Sequence, residues 1–365
     1  MKFTISKEAF LDAIQQVQHV VSTRTTLAIL SNVLLRVRDG SLELTTTDLD
    51  VGVSGSVSAD VEDAGATTLP ARRLATIVRE LPAAEVEVSV DEKNVASIRS
   101  GPSFFKVNGL SSEEFPPLPK FDGAREFKID QAVLRDCLRK TSYAISTDET
   151  RYVLNGILFS FKNNALTMVA TDGRRLAMVE QEIEFPQSHE TDFIVPTKAV
   201  NELSRLLGDS GTVAIRVTGS QVGFDLEGSF LVSKLIEGNY PNYRQVIPGE
   251  AKERIALERE TLLRAVSRVS LLASEKSNSV KLQFSPGQVE IVASSPEIGE
   301  AREALAINYK GPAITIAFNP EFLMAPLRNL TADEVHLHLI DEISPGVLRT
   351  GSNFLYVLMP MRVNS

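Results

Sequence analysis

The chain of 365 residues contains no tryptophan, one cysteine and four histidines, and only 6% of its residues are aromatic. The single cysteine, Cys137, cannot form a disulfide within the chain, and a zinc site built on several cysteines is excluded. Cys137 stands at helical apolar spacing with Leu134, Leu138 and Ile145. That spacing indicates a buried structural thiol rather than a reactive one.

Long apolar runs are also missing. No uncharged stretch approaches the roughly 18 residues that a membrane helix needs, and the opening residues MKFTISK lack the apolar segment of a signal peptide. We therefore expect a cytoplasmic protein with no membrane partner.

Motifs for catalysis and for metal binding are scarce. No glycine-rich phosphate loop ending in Lys-Ser or Lys-Thr is present, which argues against ATP-driven chemistry. His336 and His338 alternate on one strand face, but no third metal ligand accompanies them. The segment from Asp172 to Arg175 has no nucleophile–histidine pair beside it. The sequence therefore predicts no catalytic residue, no metal and no cofactor.

What the chain does contain is a threefold repeat with a spacing of 124 residues. The segment 32–48 returns as 155–172 and again, less clearly, as 279–296, so that Asp48, Asp172 and Pro296 occupy matching places. Three copies of one module indicate a pseudo-symmetric protein. We place the modules at residues 1–123, 124–247 and 248–365.

Each module has the same predicted order of elements. A short strand is followed by an amphipathic helix, then by alternating strands, a second helix and more alternating strands. The pattern predicts an α+β fold in which two helices per module lie on antiparallel sheets. The predicted helices span residues 6–20, 70–81, 130–145, 197–208, 259–273 and 319–330.

Charge is distributed unevenly between these elements. The net charge is −9, yet the six predicted helices hold 13 basic and 8 acidic side chains, so the rest of the chain carries −14. The basic residues also recur, because Arg72 and Arg79 are seven apart, as are Lys198 and Arg205. These could be ordinary solvated helix faces. Their recurrence at matching positions favours a surface that faces a polyanion such as duplex DNA.

Several segments together resemble the bacterial DNA sliding clamp, the β subunit of DNA polymerase III. The resemblance covers the full length and is carried by residues 1–5 (MKFTI), 25–32 (TTLAILSN), 47–49 (TDL), 151–156 (RYVLNG), 170–176 (ATDGRRL) and 357–362 (VLMPMR). It implies three clamp domains of the processivity fold and a head-to-tail homodimer that closes into a ring.

The function that the resemblance implies is not catalytic. The ring would encircle duplex DNA without reading its sequence and would tether the replicative polymerase for processive synthesis, in the cytoplasm and at replication forks on the nucleoid. The implied partners are the polymerase III catalytic subunit, the clamp loader, other polymerases and mismatch-repair proteins, which dock through short hydrophobic peptides. Two alternatives remain: a ring-shaped peptide-binding scaffold with no role on DNA, and an enzyme with a site at a module boundary.

The resemblance also assigns residues to three surfaces. The implied peptide pocket between the second and third modules is lined by Leu154, Thr171, Gly173, Arg175, Leu176, Pro241, Val246, Ile343, Val357, Met359, Pro360, Met361 and Arg362. The implied DNA-facing residues are Arg24, Arg72, Arg73, Tyr152 and Lys198. The helix charge pattern adds Arg79, Arg135, Arg139, Arg205, Arg264 and Arg268 to them. The implied dimer interface pairs Phe105 and Val107 with Leu271 and Leu272.

Overall fold

The computed structural model describes residues 1–21, 26–82, 84–273, 278–351 and 353–362. The helices in these ranges are α1 (Lys7–Val17), α2 (Ala71–Glu80), α3 (Gln131–Thr141), α4 (Thr197–Leu206), α5 (Arg259–Val269) and α6 (Pro320–Asn329). The strands are β1 (Lys2–Ser6), β2 (Asn32–Arg38), β3 (Ser41–Thr47), β4 (Val51–Ser58), β5 (Asp60–Asp63), β6 (Gly65–Pro70), β7 (Glu85–Val90), β8 (Val95–Ser100), β9 (Ser103–Asn108), β10 (Arg125–Asp130), β11 (Gly156–Lys162), β12 (Ala165–Thr171), β13 (Arg175–Glu182), β14 (Thr191–Pro196), β15 (Thr212–Val217), β16 (Gln221–Asp225), β17 (Ser229–Lys234), β18 (Glu253–Glu258), β19 (Val280–Ser285), β20 (Gln288–Ser295), β21 (Gly299–Ala306), β22 (Ile314–Phe318), β23 (Glu334–Leu339), β24 (Gly346–Thr350) and β25 (Phe354–Leu358).

The predicted α+β fold is confirmed, with all six helices found where the sequence predicts them. Three of them end three or more residues earlier than expected, because α1 stops at Val17, α3 at Thr141 and α5 at Val269, and a separate 3₁₀ turn follows α3 and α5. The Thr141 hydroxyl donates back to the Cys137 carbonyl four residues earlier, at 2.8 Å, a side-chain bond that often bends a helix. Apolar spacing continues through a 3₁₀ turn, so the pattern alone does not reveal this boundary.

The chain packs as two compact units. The first contains residues 1–135 and 198–235, and the second contains residues 136–197 and 236 onward. The first unit has a five-stranded sheet, β5-β1-β7-β8-β9, and an eight-stranded sheet, β10-β15-β16-β17-β4-β3-β2-β6. The second has an eight-stranded sheet, β14-β11-β12-β13-β25-β24-β23-β18, and a four-stranded sheet, β21-β20-β19-β22. The pairings within them are antiparallel.

The 124-residue repeat is preserved in the strands. Strands β4, β13 and β21 begin at residues 51, 175 and 299 and are each eight residues long. In the first unit β4 pairs with β17, with Gly52 opposite Val232. In the second unit β13 pairs with β25, with Leu176 opposite Val357. These two pairings are copies of each other and complete the two eight-stranded sheets.

The first residue of α1, α3 and α5 hydrogen-bonds to the backbone near the second helix of its module. The Lys7 ammonium donates to the Leu81 carbonyl at 2.6 Å, and the Gln131 amide oxygen accepts from the Gly208 N–H at 2.8 Å. The Arg259 guanidinium donates to the Leu327 and Ala332 carbonyls at 2.9 and 2.8 Å. Each contact satisfies backbone groups in or just after the second helix of its module, so part of the basic charge predicted on these helices has a structural role.

Within the described ranges, none of the helices is long and apolar enough to span a membrane. The Cys137 side chain is buried on α3, as the sequence predicts. Burial, with a smaller contribution from the neighbouring Asp136 charge, raises the pKa of this thiol to about 12. The thiol therefore stays protonated at neutral pH and is a poor nucleophile.

We expect Cys137 in the folded protein to resist Ellman's reagent at pH 8, because the thiolate is scarce and the side chain is out of reach. The measurement is the rate of thionitrobenzoate release with and without a denaturing concentration of urea. One thiol per chain should react rapidly only in urea. Rapid reaction of the native protein would contradict the structural role of this residue.

Candidate functional site

The apolar part of the predicted peptide pocket is a cluster of buried side chains on the eight-stranded sheet of the second unit. Leu176 and Val357 lie opposite each other in this sheet. The cluster also contains Leu158, Val169, Ile194, Val347 and Leu355. The partly buried residues packed against it are Val153, Met178, Ile236, Tyr240, Tyr243 and Ile247.

The turn from Thr171 to Arg175 forms one side of this site. The Asp172 carboxylate accepts the backbone N–H groups of Arg174 and Arg175 at 2.9 and 3.1 Å, and the Thr171 hydroxyl donates to the Arg175 carbonyl at 2.6 Å. Gly173 has φ +84°, a conformation that side chains disfavour, and an added Cβ would meet Arg151 Nη1 at 2.8 Å. Glycine is therefore favoured at this point of the turn.

Arg175 links the turn to helix α6. Its Nε donates to the Asp172 carboxylate at 3.0 Å, and its guanidinium lies 4.4 Å from the centroid of the Phe322 ring. The Tyr356 hydroxyl donates to the Phe322 carbonyl at 2.8 Å, which holds the α6 backbone beside β25. The pKa of the Tyr356 hydroxyl is raised by burial, so this group remains a donor.

A charged pocket of about 310 Å³ lies beside Arg175 in the second unit. It is lined by Ile145, Ser146, Thr147, Asp148, Arg151, Asp172, Arg174, Arg175 and Phe322. Guanidinium groups in such a pocket can bind carbonyl or carboxylate oxygens, while the buried cluster nearby can take apolar side chains. The arrangement suits a short peptide that has both kinds of group.

The remaining predicted pocket residues differ in their exposure and in their contacts. Met359 follows β25, and its N–H donates to the Arg174 carbonyl at 3.0 Å, while the Met361 N–H donates to the Ala317 carbonyl at 2.8 Å. Pro360 is half-buried and Arg362 is exposed. Leu154 is buried, Val246 is exposed, and Ile343 is 86% exposed. Pro241 lines a second pocket of about 310 Å³, together with Leu158, Ile194, Tyr240 and Tyr243.

Several residues at this site were not predicted from the sequence. Met178 could have been found, because it alternates with Leu176 along β13. Asp172 could also have been found, since a Thr-Asp pair before a glycine favours a side-chain-bonded turn. Phe322 had no local signal, because it comes from a helix nearly 150 residues away in sequence.

The predicted DNA-facing cations differ in how they are paired. Six of them form ion pairs: Arg135 with Asp209, Arg139 with Asp136, Lys198 with Asp48, Arg205 with Glu202, Arg264 with Glu260 and Arg268 with Glu303. On α2, Arg72, Arg73 and Arg79 are exposed and have no ion pair with any described residue. Tyr152 is 58% exposed. Arg24 lies outside the described residues.

The predicted interface residues lie on or near two strands at sheet ends. Strand β9 ends the five-stranded sheet and β21 ends the four-stranded sheet. Phe105 is exposed and Leu271 is 78% exposed, whereas Leu272 is half-buried and Val107 is buried. Phe105 on β9 and Leu271 in the 3₁₀ turn after α5 are therefore large apolar side chains that this chain leaves exposed.

No group of three or more histidine, cysteine, aspartate or glutamate side chains with the arrangement of a metal site occurs in the part of the chain that the structure describes. The candidate functional features are therefore a turn, an apolar cluster and a charged pocket in the second unit, and separately the exposed arginines of α2 in the first unit.

Comparison with known proteins gives matches along the whole chain. Residues 1–119, 128–242 and 244–362 match the families described as the N-terminal, central and C-terminal domains of the DNA polymerase III beta subunit. The beta sliding clamp of Chlamydia muridarum is 36% identical over 364 residues and all of both chains. The solved sliding clamp of Bacillus subtilis has a TM-score of 0.95 at 32% identity, and that of Pseudomonas aeruginosa bound to griselimycin has 0.95 at 36%, each over both full chains.

Fold and site together define a non-catalytic clamp of three α+β domains that serves DNA replication. More particularly, the chain belongs to the DNA polymerase III beta-subunit family, the bacterial beta sliding clamps. The processivity function that the sequence predicted is thereby confirmed, and the enzyme hypothesis is not supported.

We predict that Asp172→Asn lowers the free energy of unfolding by about 1–3 kcal/mol, because a half-buried acceptor of two backbone N–H groups and one guanidinium loses its charge. Urea unfolding followed by circular dichroism measures the change. Asp209→Asn is the control, since this side chain is 88% exposed and an exposed ion pair contributes little. Equal effects of the two substitutions would show that the turn does not depend on Asp172.

Proposed function

We propose that two copies of the chain associate head to tail into a ring around duplex DNA, and that the ring holds the polymerase by topology rather than by tight adhesion. The observation that carries this proposal is the repeat of the strand pairings. Strand β17 pairs with β4 and β25 pairs with β13, whereas β9 and β21, which have the corresponding places in their modules, end their sheets without such a partner.

The same repeat predicts the register between the two copies. Phe105 pairs with Ile98 as Leu231 pairs with Phe224, so Phe105 corresponds to Leu231. Leu231 lies opposite Val53, and by the 124-residue repeat Val53 corresponds to Ala301. Phe105 of one copy should therefore lie opposite Ala301 of the other. Lys106 would then lie opposite Glu300, which adds a favourable pair of charges.

A chain that carries both Lys106→Cys and Glu300→Cys should form a covalent dimer under mild oxidation, because directly opposed antiparallel residues can bring two Cβ atoms within disulfide reach. Non-reducing gel electrophoresis measures the product. Lys106→Cys with Glu303→Cys is the off-register control, since about 10 Å of strand separates it from the predicted pairing. Better cross-linking by the control would contradict the register.

We propose that the duplex meets the exposed arginines of α2 most directly. Guanidinium groups without a carboxylate partner can release phosphate counterions on binding, and such contacts carry no sequence information. Cations that are already paired with a carboxylate of the chain gain less from a phosphate, because the phosphate has to compete with that carboxylate. The resulting binding is weak and neutral to sequence, which a sliding ring requires.

Replacement of Arg72, Arg73 and Arg79 by glutamine should weaken binding to a short linear duplex at low salt. We also expect the slope of log affinity against log salt to fall by up to about 0.9 for each phosphate that the variant no longer neutralises. Fluorescence anisotropy across a salt series measures both. Arg264→Gln is the control, because its guanidinium is paired with Glu260 at 2.8 Å. An equal effect of the control would count against the special role of α2.

The alternative of a peptide-binding ring without a role on DNA is tested by topology. On a closed circular duplex the protein should need a clamp loader for stable retention, and it should be lost when the circle is cut. Retention that is indifferent to cutting would favour the scaffold hypothesis. We further propose that the protein acts in the cytoplasm, at replication forks.

The site around Leu176, Arg175 and Val357 is proposed as the docking pocket for the polymerase catalytic subunit, the clamp loader, other polymerases and mismatch-repair proteins. Its buried apolar cluster and its adjacent guanidinium groups support this assignment. Flexible methionines at positions 359 and 361 suit a pocket that takes several related peptides.

We predict that Leu176→Ala combined with Met361→Ala weakens griselimycin binding by at least about tenfold, because the pocket then offers less apolar surface to the ligand. The Pseudomonas aeruginosa clamp structure with griselimycin makes this compound a usable probe. Calorimetric titration measures affinity, and sedimentation checks that the dimer is intact. Leu44→Ala, at an equally buried leucine of the first unit, controls for general destabilisation and should leave the affinity unchanged.

A further inference from the structure

The turn before β4 in the first unit has the same hydrogen bonds as the turn before β13 in the second. The Asp48 carboxylate accepts the N–H groups of Asp50 and Val51 at 3.1 and 2.8 Å, as Asp172 does for Arg174 and Arg175. The Thr47 hydroxyl donates to the Val51 carbonyl at 3.0 Å, as Thr171 does to Arg175. Asp48 and Asp172 are 124 residues apart, so the first unit repeats the turn of the proposed docking pocket.

The neighbouring strand repeats as well. The Lys234 N–H donates to the Asp50 carbonyl at 2.9 Å, and the Met359 N–H donates to the Arg174 carbonyl at 3.0 Å. Gly52 and Val232 lie opposite each other, where the second unit has Leu176 and Val357. The first unit therefore contains a surface built on the plan of the docking pocket. We call this surface, around Gly52 and Val232, the first groove.

The first groove is filled by the chain itself. A Cβ added at Gly52 would lie 2.5 Å from Leu118 Cδ2 and 3.1 Å from Val232 Cγ1. Leu118 therefore sits directly over the position that corresponds to Leu176 in the second unit. The space left in the first groove is only about 90 Å³, lined by Thr47, Leu49, Asp50, Val51, Gly52, Pro116, Pro117, Leu118, Pro119, Gln221, Val232 and Lys234.

The segment that carries Leu118 has little means of holding itself by its backbone. Pro116, Pro117 and Pro119 have no N–H to donate to a strand. Side chains hold it instead. Phe121 packs over Gly223, where an added Cβ would come within 2.9 Å of the Phe121 ring. The centroids of the Phe121 and Phe230 rings are 5.9 Å apart. A glycine lies beneath each of the two apolar side chains, Leu118 and Phe121.

The edge of the first groove also differs from that of the docking pocket. Asp50 and Lys234 form an ion pair at 2.9 Å across it, whereas the corresponding residues in the second unit, Arg174 and Met359, cannot do so. Leu49 replaces Gly173, keeps a left-handed backbone at φ +78°, and is 48% exposed. A leucine in this conformation is unusual and places an apolar side chain at the groove.

We infer that the first groove is a second peptide-docking site in latent form, and that Leu118 occupies it as the apolar residue of a docking peptide would. This inference rests on the proposed docking function of the second unit. The tether keeps Leu118 at a high effective concentration, so a free peptide does not displace it. Leu118 thus confines docking to one of two similar grooves in each chain.

Leu118→Ala should open the first groove. The probe is a fluorescein-labelled peptide that copies residues 113–122 of this chain, and the readout is anisotropy. We expect saturable binding to the variant, at least about tenfold tighter than to the unsubstituted chain, because the contact of a half-buried leucine with Gly52 and Val232 is restored. The same peptide with alanine in place of its leucine should show no such preference. Equal affinity for both proteins would overturn the inference.

The two grooves can be tested separately. Leu176→Ala with Met361→Ala, which tests the docking pocket, should leave binding of the 113–122 peptide to the Leu118→Ala chain unchanged. If griselimycin binding survives those two substitutions while the peptide still binds the Leu118→Ala chain, the proposed docking pocket fails and the first groove stands. If the two substitutions abolish griselimycin binding while the peptide fails to bind the Leu118→Ala chain, only the first groove is rejected.

A second measurement does not depend on peptide affinity. Gly52→Leu gives the first groove the leucine that the second unit has at position 176, so the Leu118 side chain must move out of the groove. Trypsin cleavage after Lys120 should then accelerate by at least about fivefold, as local protection is lost. Gly219→Leu is the control, because an added Cβ there meets nothing within 4 Å. Unchanged cleavage in a folded Gly52→Leu protein would show that Leu118 does not hold the segment.

Discussion

The hydrogen-bonding demand of strand edges is the constraint on which the architecture depends. A strand at the end of a sheet exposes a row of N–H and C=O groups, and natural proteins cover such rows or pair them. In this chain the third strand of a module's first meander is paired with the last strand of another module, once through β4 and β17 and once through β13 and β25. Strand β9 is the last strand of its module and β21 is the third strand of a first meander, and each ends its sheet. Pairing of β9 in one copy with β21 in the other makes the proposed dimer head to tail, and two such pairings close it.

Within that framework, a few side chains decide what each junction between strands does. The Thr-Asp turn and the strand register are the same where β4 pairs with β17 and where β13 pairs with β25. Glycine at position 52 admits Leu118, whereas leucine at position 176 contributes to an apolar cluster. The sequence repeat supplies two similar surfaces, and in the inference above the contact of Leu118 with Gly52 removes one of them from use. The repeat therefore specifies the scaffold, while function depends on positions where the repeat is broken.

The sequence predicts the modules, the six helices and the strand order because these follow from local periodicity and from the 124-residue spacing. It does not predict which basic side chains are free. Arg268 and Lys198 read as DNA-facing, yet they pair with Glu303 and Asp48, residues distant in sequence. The contacts of Phe322 with Arg175 and of Leu118 with Gly52 could not be predicted for the same reason, since each joins segments that are distant in sequence. Turn chemistry and periodicity are local properties, whereas pairing and occupancy depend on the tertiary fold.

Internal pairing of most helix cations also has a consequence for sliding. An arginine that already has a carboxylate beside it gains less from a phosphate, because the phosphate must compete with that carboxylate and the gain is further screened by salt. Full exposure of every helix cation would give tighter and more strongly salt-dependent binding, which would slow movement along the duplex. The acidic partners on the helices and strands moderate the attraction, and Arg72, Arg73 and Arg79 remain available on α2. The proposed ring retains DNA by enclosure and needs only this limited attraction, so in that proposal the ion pairs serve the mechanism as well as the fold.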